Sequence, residues 1–179
     1  MQLKIQFDRF KGKKLFYPVD YEARPTLARS RDVVFNWLGD LNGDRCLDLF
    51  AGTGVLGLEA LSSGAKSVDF VDIKKRHLSQ ISRHLADLTC CKNQFTLSDI
   101  GAQAWLKKSS IPYDIIFVDP PIERKRHNQV LGWLRVRQAV CEKTLLYIEA
   151  PASPDFDKSW QIIKEKKIEK VRIYLIKKL

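Results

Sequence analysis

Short apolar runs alternate along the middle of the chain with segments whose apolar residues recur every three or four positions. Runs of the first kind predict β-strands at 45–50, 67–71, 94–97, 113–118 and 144–149. Segments of the second kind predict helices at 55–63, 74–88 and about 103–108, and another helix that ends near residue 140. Strands that alternate with helices in this way are typical of parallel βαβ units.

The two ends of the chain depart from this alternation. Residues 1 to about 25 mix basic and aromatic side chains, which predicts an N-terminal hairpin or arm, and a helix is then expected up to about Leu41. The extended runs 160–165 and 171–176 have only Lys166 to Lys170 between them, too few residues for a helical crossover, so they should pair antiparallel. We therefore expect a basic arm and helix at 1–41, packed on a single compact unit at 42–179.

Length and composition narrow the kind of protein. A chain of 179 residues is about one domain, and its 31 Lys and Arg residues against 21 Asp and Glu give a net charge of +10. Such a balance favours a polyanionic partner such as RNA or DNA. The start of the chain lacks the apolar core of a signal peptide, and no run approaches the roughly 20 apolar residues of a membrane span. We therefore expect a cytoplasmic protein with no membrane partner.

Acidic residues recur at the ends of four predicted strands. Asp48, Asp72, Asp99 and Asp119 each accompany a short apolar run. If these runs are parallel strands of one sheet, all four carboxylates lie along its carboxyl edge, where open α/β sheets bind their ligands. The pattern therefore predicts a single site built from four separate parts of the chain.

The first of these aspartates leads into a glycine-rich turn. Gly52-Thr53-Gly54-Val55-Leu56-Gly57 fits G-x-G-x-x-G between a strand and a helix, although a turn that merely connects the two elements would look the same. Asp72, about 20 residues on, suits the hydroxyls of a ribose, which NAD and S-adenosylmethionine both carry. Asp48 would repel a pyrophosphate but suits the cationic ammonium and sulfonium of S-adenosylmethionine, which is therefore favoured. Asp99 could accept from the adenine amino group, with Ile100 over the ring, or could cap the next helix.

The last aspartate opens the segment Asp119-Pro120-Pro121. Neither proline has an N–H, so the strand stops abruptly and its carbonyls are held in place. The Asp119 carboxylate and the Pro120 carbonyl could accept both hydrogens of an exocyclic base amine and aim its lone pair at a methyl donor. No metal is needed for that chemistry. A simple strand-ending turn is the alternative interpretation of the segment.

Taken together, these motifs resemble those of class I methyltransferases, and more narrowly those of the bacterial 16S rRNA (guanine-N2) methyltransferases. The similarity runs from about Lys11 to Glu149. It includes Gly12 to Leu15, Arg24-Pro25-Thr26, Phe35 to Leu38, Leu47 to Gly54, Gly57 to Ser62, Gly64-Ala65 and Phe117 to Pro121. The resemblance implies an α/β Rossmann-like fold, with a mostly parallel seven-stranded sheet, a C-terminal antiparallel hairpin, helices on both faces and a short N-terminal extension.

The resemblance also implies an activity and a set of site residues. The activity is transfer of a methyl group from S-adenosylmethionine to the N2 amine of a guanine in 16S rRNA, within the small ribosomal subunit or an assembly intermediate, by a protein expected to be a monomer. The implied cofactor-binding residues are Asp48, Phe50, Ala51, Gly52, Thr53, Gly54, Asp72, Ile73, Asp99 and Ile100. The implied catalytic residues are Asp119, Pro120, Pro121 and Ile122. Substrate or RNA contacts are expected from Arg24, Thr26, Arg29 and Arg31, and from the basic run Arg124, Lys125 and Arg126 that follows the catalytic loop.

One departure from the family pattern keeps other functions open. Where the family normally has Phe or Tyr, this chain has Ile122, which cannot supply the stacking on a base that is usually worth about 1–3 kcal/mol. The alternatives are a DNA or RNA amino-methyltransferase acting on adenine N6 or cytosine N4, a non-catalytic S-adenosylmethionine- and RNA-binding relative, and a nicotinamide-dependent oxidoreductase. His77 and His84 lie seven residues apart on a predicted helix and are expected to pack rather than to bind a metal.

Overall fold

The predicted alternation of strands and helices is present in a computed structural model, which describes residues 1–18, 20–21, 26–121, 126–150, 154 and 156–179. The strands are β1 (Gln2–Lys4), β2 (Lys14–Phe16), β3 (Arg45–Asp48), β4 (Ser67–Val71), β5 (Phe95–Ser98), β6 (Ile115–Val118), β7 (Leu145–Ala150), β8 (Trp160–Ile168) and β9 (Val171–Lys178). The α-helices are α1 (Ala28–Leu38), α2 (Val55–Ser62), α3 (Lys75–Asp87), α4 (Ala102–Lys108) and α5 (Arg126–Arg135). Single 3-10 turns lie at Asp8–Phe10 and Lys92–Gln94.

Strands β3 to β9 form one seven-stranded sheet in the order β5-β4-β3-β6-β7-β9-β8. The first five strands of that order run parallel, whereas β9 is antiparallel to both β7 and β8. The α/β Rossmann-like prediction with a C-terminal antiparallel hairpin is therefore confirmed. The chain moves outward from β3 in one direction through β4 and β5, then returns to the other side of β3 with β6. The carboxyl ends of β3 and β6 consequently border a topological switch point, where such sheets bind ligands.

The sheet is buried on both faces, as parallel sheets with helical crossovers usually are. In β6, Ile115 and Phe117 belong to an apolar cluster on one face, while Ile116 and Val118 belong to a second cluster on the other. Buried residues of α1, α2 and α3 complete the first cluster, and buried residues of α4 and α5 complete the second. Helices on both faces therefore hold the carboxyl ends of the strands in fixed positions.

The N-terminal segment forms the predicted hairpin and packs on the first apolar cluster. Strands β1 and β2 pair antiparallel, with Leu3 opposite Leu15. Ile5 and Leu15 are almost fully buried in the same cluster as Phe35 of α1. The division of the chain into an arm at 1–41 and a unit at 42–179 stays a prediction.

Several element boundaries differ from the prediction for identifiable reasons. β3 ends at Asp48 rather than at residue 50, because the turn that leads to the glycines begins with Leu49. α5 ends at Arg135 rather than near residue 140, since the following residues turn back to the sheet and the Ala139 carbonyl accepts the Tyr113 N–H at 3.0 Å. β8 and β9 pair almost to their connecting turn, which lengthens the hairpin beyond 160–165 and 171–176. The turn uses Glu169 in a left-handed conformation, with φ of 53°.

The described residues contain neither a candidate membrane span nor a candidate metal site. Among them, no helix combines the length and the apolar character that crossing a bilayer requires. Within the same part of the chain, His, Cys, Asp and Glu side chains do not gather in groups of three or more that could hold a metal ion.

Candidate active site

The carboxyl ends of the central parallel strands open into one cavity of about 620 Å³. Ligand sites typically enclose about 300–1,000 Å³, so the cavity has the size of a cofactor or substrate pocket. Most of the residues that the sequence analysis assigned to a site line its wall: Thr26, Asp48, Phe50, Ala51, Gly52, Thr53, Asp72, Ile73, Ile100, Asp119, Pro120, Pro121 and Arg126. The predicted convergence of separate strand ends on one site is thus present.

The glycine-rich turn needs its glycines for two reasons, a left-handed backbone and close packing against α3 and β4. Gly52 and Gly54 have φ of 53° and 73°, in the left-handed region where a side chain is strained. A Cβ on Gly54 would lie 2.6 Å from Cγ1 of Ile81, and a Cβ on Gly57 would lie 2.2 Å from the ring of Phe70. The third glycine therefore allows α2 to pack directly against β4, which brings the start of α2 to the cavity.

Asp72 holds the glycine-rich turn in place from the end of β4. Its Oδ2 accepts the N–H of Gly52 at 2.8 Å, and its Oδ1 accepts the N–H of Lys74 at 2.8 Å. Nδ1 of His77 lies 3.0 Å from the same Oδ2. This carboxylate is therefore fixed in orientation at the cavity wall. His77 was expected only to pack, and its contact with Asp72 was not foreseen.

Asp48 is a buried carboxyl beneath the turn. Its Oδ2 accepts the N–H of Gly57 at 3.1 Å. Burial raises the pKa of Asp48 to about 7, the negative charge of Asp72 adds to that rise, and the hydrogen bond from Gly57 opposes it. A cationic group bound in the cavity would favour the ionised carboxylate, whereas an anionic group would meet two carboxyls.

Two tyrosines of the N-terminal segment bind the carbonyl side of the glycine-rich turn. The hydroxyl of Tyr17 donates to the Thr53 carbonyl at 2.8 Å, and the hydroxyl of Tyr21 donates to the Gly52 carbonyl at 2.9 Å. The ring of Tyr21 also packs on His77, with centroids 5.2 Å apart. The sequence analysis missed both tyrosines, because nothing in the pattern of the arm indicates which face of the core it covers.

Asp119, which directly follows β6, also lines the cavity. The hydroxyl of Thr26, just before α1, donates to Oδ2 of Asp119 at 3.3 Å. Glu149 of β7 lines the same cavity, and its Oε2 accepts the hydroxyl of Tyr147 at 2.8 Å. Glu149 also lies at the end of a predicted strand, but it was not assigned to the site from the sequence.

Two predicted cofactor residues stand apart from the cavity wall. The Asp99 side chain is 53% exposed, its Oδ2 lies 3.4 Å from Nζ of Lys75, and it does not line the cavity, so its contact with adenine stays a prediction. Its alternative role as a helix cap is wrong, because the residue that caps α4 is Gly101. β5 is an edge strand, which moves its end away from the switch point. Gly54 supports the turn from behind rather than lining the cavity.

The basic residues predicted to contact substrate divide into three groups. Arg31 is buried and its guanidinium is bound by Glu59, so the expected RNA contact of this residue is corrected to a structural role. Arg29 is exposed and lies 3.6 Å from Glu169, and Arg126 reaches the cavity wall. Arg24, Arg124, Lys125 and the catalytic-loop residue Ile122 lie outside the described residues.

Residues 3–177 match the model of one protein family, Conserved hypothetical protein 95. The chain belongs to this family. It is 32% identical over 169 residues to ribosomal RNA small subunit methyltransferase D of Escherichia coli, a match that covers 92% of this chain and 84% of that protein. The structure of yhhF from Escherichia coli superposes with a TM-score of 0.88 at 30% identity, over 99% of this chain and 98% of that one. The more distant protein SMU.776, solved with SAH, shares the fold at a TM-score of 0.66 and 17% identity, over 83% of this chain and 48% of that one.

Proposed function

We propose that this member of the family is an S-adenosylmethionine-dependent rRNA methyltransferase that methylates the N2 amine of a guanine in 16S rRNA of the small ribosomal subunit. The observation that carries the proposal is the placement of Asp48, Asp72 and the Asp119-Pro120-Pro121 segment around one cavity at the switch point of the sheet. The name of the Escherichia coli relative supports the same class of substrate.

The cavity fits S-adenosylmethionine by its charge and by its size. Asp72 would accept from the ribose hydroxyls, because its carboxylate is already oriented by the Gly52 and Lys74 N–H groups. Asp48 lies where its charge would attract the α-ammonium group. Ile73 and Ile100 offer apolar surface for the adenine ring. When bound, the cofactor supplies an electrophilic methyl group on a sulfonium.

The same charges argue against a nicotinamide dinucleotide. Its pyrophosphate would have to approach the N–H groups at the start of α2, where Asp48 and Asp72 both border the cavity. Like charges at such short range cost more in a partly buried site than in water. A nicotinamide-dependent oxidoreductase is therefore the weaker hypothesis.

Catalysis in this proposal is positioning together with electrostatic stabilisation. The Asp119 carboxylate and the Pro120 carbonyl accept the two hydrogens of the target amine, which turns the nitrogen lone pair toward the methyl group. As the N–C bond forms and the S–C bond breaks, positive charge develops on the nitrogen, and the Asp119 carboxylate stabilises it. The Thr26 hydroxyl keeps one Asp119 oxygen oriented. The methylated nitrogen would then pass its surplus proton, by way of the Asp119 carboxylate, to bulk water.

RNA contacts are proposed from two basic residues of the described part of the chain. The net charge of +10 supplies a general attraction to RNA phosphates. Arg29, with a side chain 78% exposed on α1, and Arg126, at the start of α5, are the described candidates. Arg24, Arg124 and Lys125 remain predictions, as do the monomeric state and the cytoplasmic location.

The direct test is the modification state of rRNA in a strain that lacks the gene. We expect mass spectrometry of its 16S rRNA to show loss of one N2-methylguanosine, and purified protein to restore it on small subunits isolated from that strain. Loss of N6-methyladenosine or N4-methylcytosine instead would favour the alternative base targets. Failure to transfer labelled methyl groups to subunits or to naked 16S rRNA would favour a non-catalytic binding protein.

A further inference from the structure

The target side of the cavity contains a second carboxylate with no role in the function proposed above. β6 and β7 are parallel neighbours, with Phe117 opposite Tyr147 and Val118 opposite Ile148. The next positions in this register are Asp119 and Glu149. Both side chains line the cavity, and both carboxylates lie close enough to the Tyr147 hydroxyl to raise its pKa.

Glu149 is held by contacts on its side chain and on its backbone. The hydroxyl of Tyr147, whose side chain is fully buried, donates to Oε2 of Glu149 at 2.8 Å. Nε2 of His127 lies 2.8 Å from the Glu149 carbonyl oxygen. Burial, together with the charges of Glu149 and Asp119, raises the pKa of Tyr147, so its hydroxyl remains a donor at neutral pH. An acceptor is thus oriented beside the catalytic aspartate.

Such an acceptor distinguishes the nucleobases by their Watson–Crick edges. Guanine presents N1–H next to its N2 amine, so a carboxylate can accept from both at once. Adenine and cytosine present a ring nitrogen acceptor next to their exocyclic amine, and a carboxylate would face a lone pair there. Enzymes that act on an extruded base read it by hydrogen bonds to this edge.

We propose that Glu149 is the residue that selects guanine, by accepting the N1–H of the target base while Asp119 and Pro120 accept the two hydrogens of the amine and position it for transfer. The inference rests on the proposed function and deepens it, because it assigns the choice of base to a specific side chain. Glu149 also draws the N1–H toward itself, which increases the electron density available at N2. It takes no part in the bonds that form or break.

The test keeps the methyl-accepting 2-amine constant and changes the ring edge beside it. The target nucleotide is first mapped in small subunits from the deletion strain. Subunits are then reconstituted around 16S rRNA that carries either guanosine or 2-aminopurine riboside at that position. 2-Aminopurine retains the 2-amine but has a lone pair at N1 and no oxygen at C6. For the wild-type protein we expect kcat/KM to favour guanosine by at least about 10²-fold, since a site built to accept a hydrogen bond rejects an analogue that lacks the donor.

Glu149→Gln should reduce or invert that preference. A glutamine amide can donate to the N1 lone pair of 2-aminopurine, so we expect the ratio of the two kcat/KM values to fall at least about tenfold. Binding of S-adenosylhomocysteine and the thermal unfolding temperature should stay close to wild type. Glu142→Gln, the same change at an exposed position, serves as the control and should leave the ratio unaltered.

The possible outcomes separate this inference from the function on which it rests. No methylation of guanosine by the wild-type protein would overturn both. Guanosine methylation with little discrimination against 2-aminopurine would overturn the inference alone. If Glu149→Gln lowers kcat/KM equally for both nucleotides, or is inactive on both, the inference is also overturned. A residue that selects the base must change the ratio of the two kcat/KM values.

Discussion

Arg31 and Glu59 form a buried ion pair that joins α1 to α2. Nε of Arg31 lies 3.2 Å from Oε1 of Glu59, and the two side chains are 3% and 0% exposed. Arg31 also donates to the carbonyls of Lys4 and Thr26, and Glu59 accepts the backbone N–H of Gln6. The pair therefore connects the N-terminal arm, and Thr26 beside Asp119, to the helix that follows the glycine-rich turn.

The first prediction is that Arg31→Met strongly destabilises the fold. The substitution leaves the Glu59 carboxylate buried without its cation, which typically costs about 3–5 kcal/mol. Chemical denaturation gives the change in the free energy of unfolding. Arg29→Met is the matched control on the same helix, because its ion pair with Glu169 is 78% and 55% exposed and should contribute less than about 1 kcal/mol. Similar losses in the two variants would contradict the role given to the buried pair.

The second prediction concerns two helical glycines with opposite surroundings. Gly57→Ala would place a Cβ 2.2 Å from the Phe70 ring, which must separate α2 from β4 and destabilise the fold by about 1–3 kcal/mol. Gly132→Ala on α5 meets nothing within 4 Å and should stabilise it by about 0.5–1 kcal/mol, since alanine favours the helix. Thermal unfolding of both variants checks the difference in sign.

Hydrophobic periodicity predicted the elements well but could not give their order in the sheet. Asp99 and Glu149 illustrate the consequence. Asp99 ends the edge strand β5 and lies outside the cavity, whereas Glu149 belongs to β7, next to β6, and lines it. Both residues occur near strand ends in the sequence. Only the neighbours of each strand, which depend on tertiary packing, decide which carboxyl reaches the switch point.

Charge alone was likewise insufficient to separate surface arginines from structural ones. Arg29 and Arg31 are two positions apart on α1, and both were assigned to RNA. A helix turns by about 200° over two residues, so one side chain faces solvent while the other faces the core. The partner that makes burial of Arg31 tolerable, Glu59, lies in a different helix, and its place opposite Arg31 could not be read from the sequence.

The third prediction separates Asp72 from Asp99, two of the three aspartates that the sequence assigned to the cofactor. Asp72→Ala should weaken binding of S-adenosylhomocysteine by about 10- to 100-fold, because it removes the ribose acceptor and the anchor of the Gly52 N–H. Asp99→Ala, at a half-exposed carboxylate outside the cavity, should change the affinity less than about twofold by the same reasoning. Isothermal titration calorimetry measures both. A comparable loss in Asp99→Ala would restore the original assignment to adenine.

The fourth prediction is a pH dependence that originates at Asp48. Without cofactor, the buried carboxyl has a pKa of about 7, so it is mostly protonated at pH 6. A ligand with an α-ammonium group favours the ionised form, and its binding should release a proton. Affinity for S-adenosylhomocysteine should therefore rise with pH up to about 7, by at most tenfold per unit, and then level off. Titrations in buffers of different ionisation enthalpy report the released proton.

Asp48→Asn is the control for that pH dependence. The amide cannot ionise, so the affinity should be weaker and nearly constant between pH 5.5 and about 8. The free energy of unfolding of the free protein should depend on pH in the opposite direction to the cofactor affinity. Because the folded-state pKa of Asp48 is raised, its contribution to the free energy of unfolding is greatest below about pH 4 and declines as pH rises toward 7. A pH profile identical in Asp48→Asn and wild type would assign the dependence to another group.

The last prediction is that Asp119→Ala abolishes methyl transfer while cofactor binding remains nearly intact. Asp119 lines the cavity with its carboxylate beside Thr26, whereas the carboxylate that holds the glycine-rich turn is Asp72, so we expect Asp119 to contact the acceptor amine rather than the ribose. Loss of a group that stabilises developing charge costs about 10²–10³-fold in rate, and loss of its positioning role adds to that. Asp119→Asn keeps one acceptor oxygen and should retain part of the activity.

Single-turnover transfer to small subunits measures the rate, and calorimetric binding of S-adenosylhomocysteine measures the cofactor affinity independently. Wild-type turnover in Asp119→Ala would remove this residue from the mechanism, whereas parallel loss of rate and affinity would place it in the cofactor site.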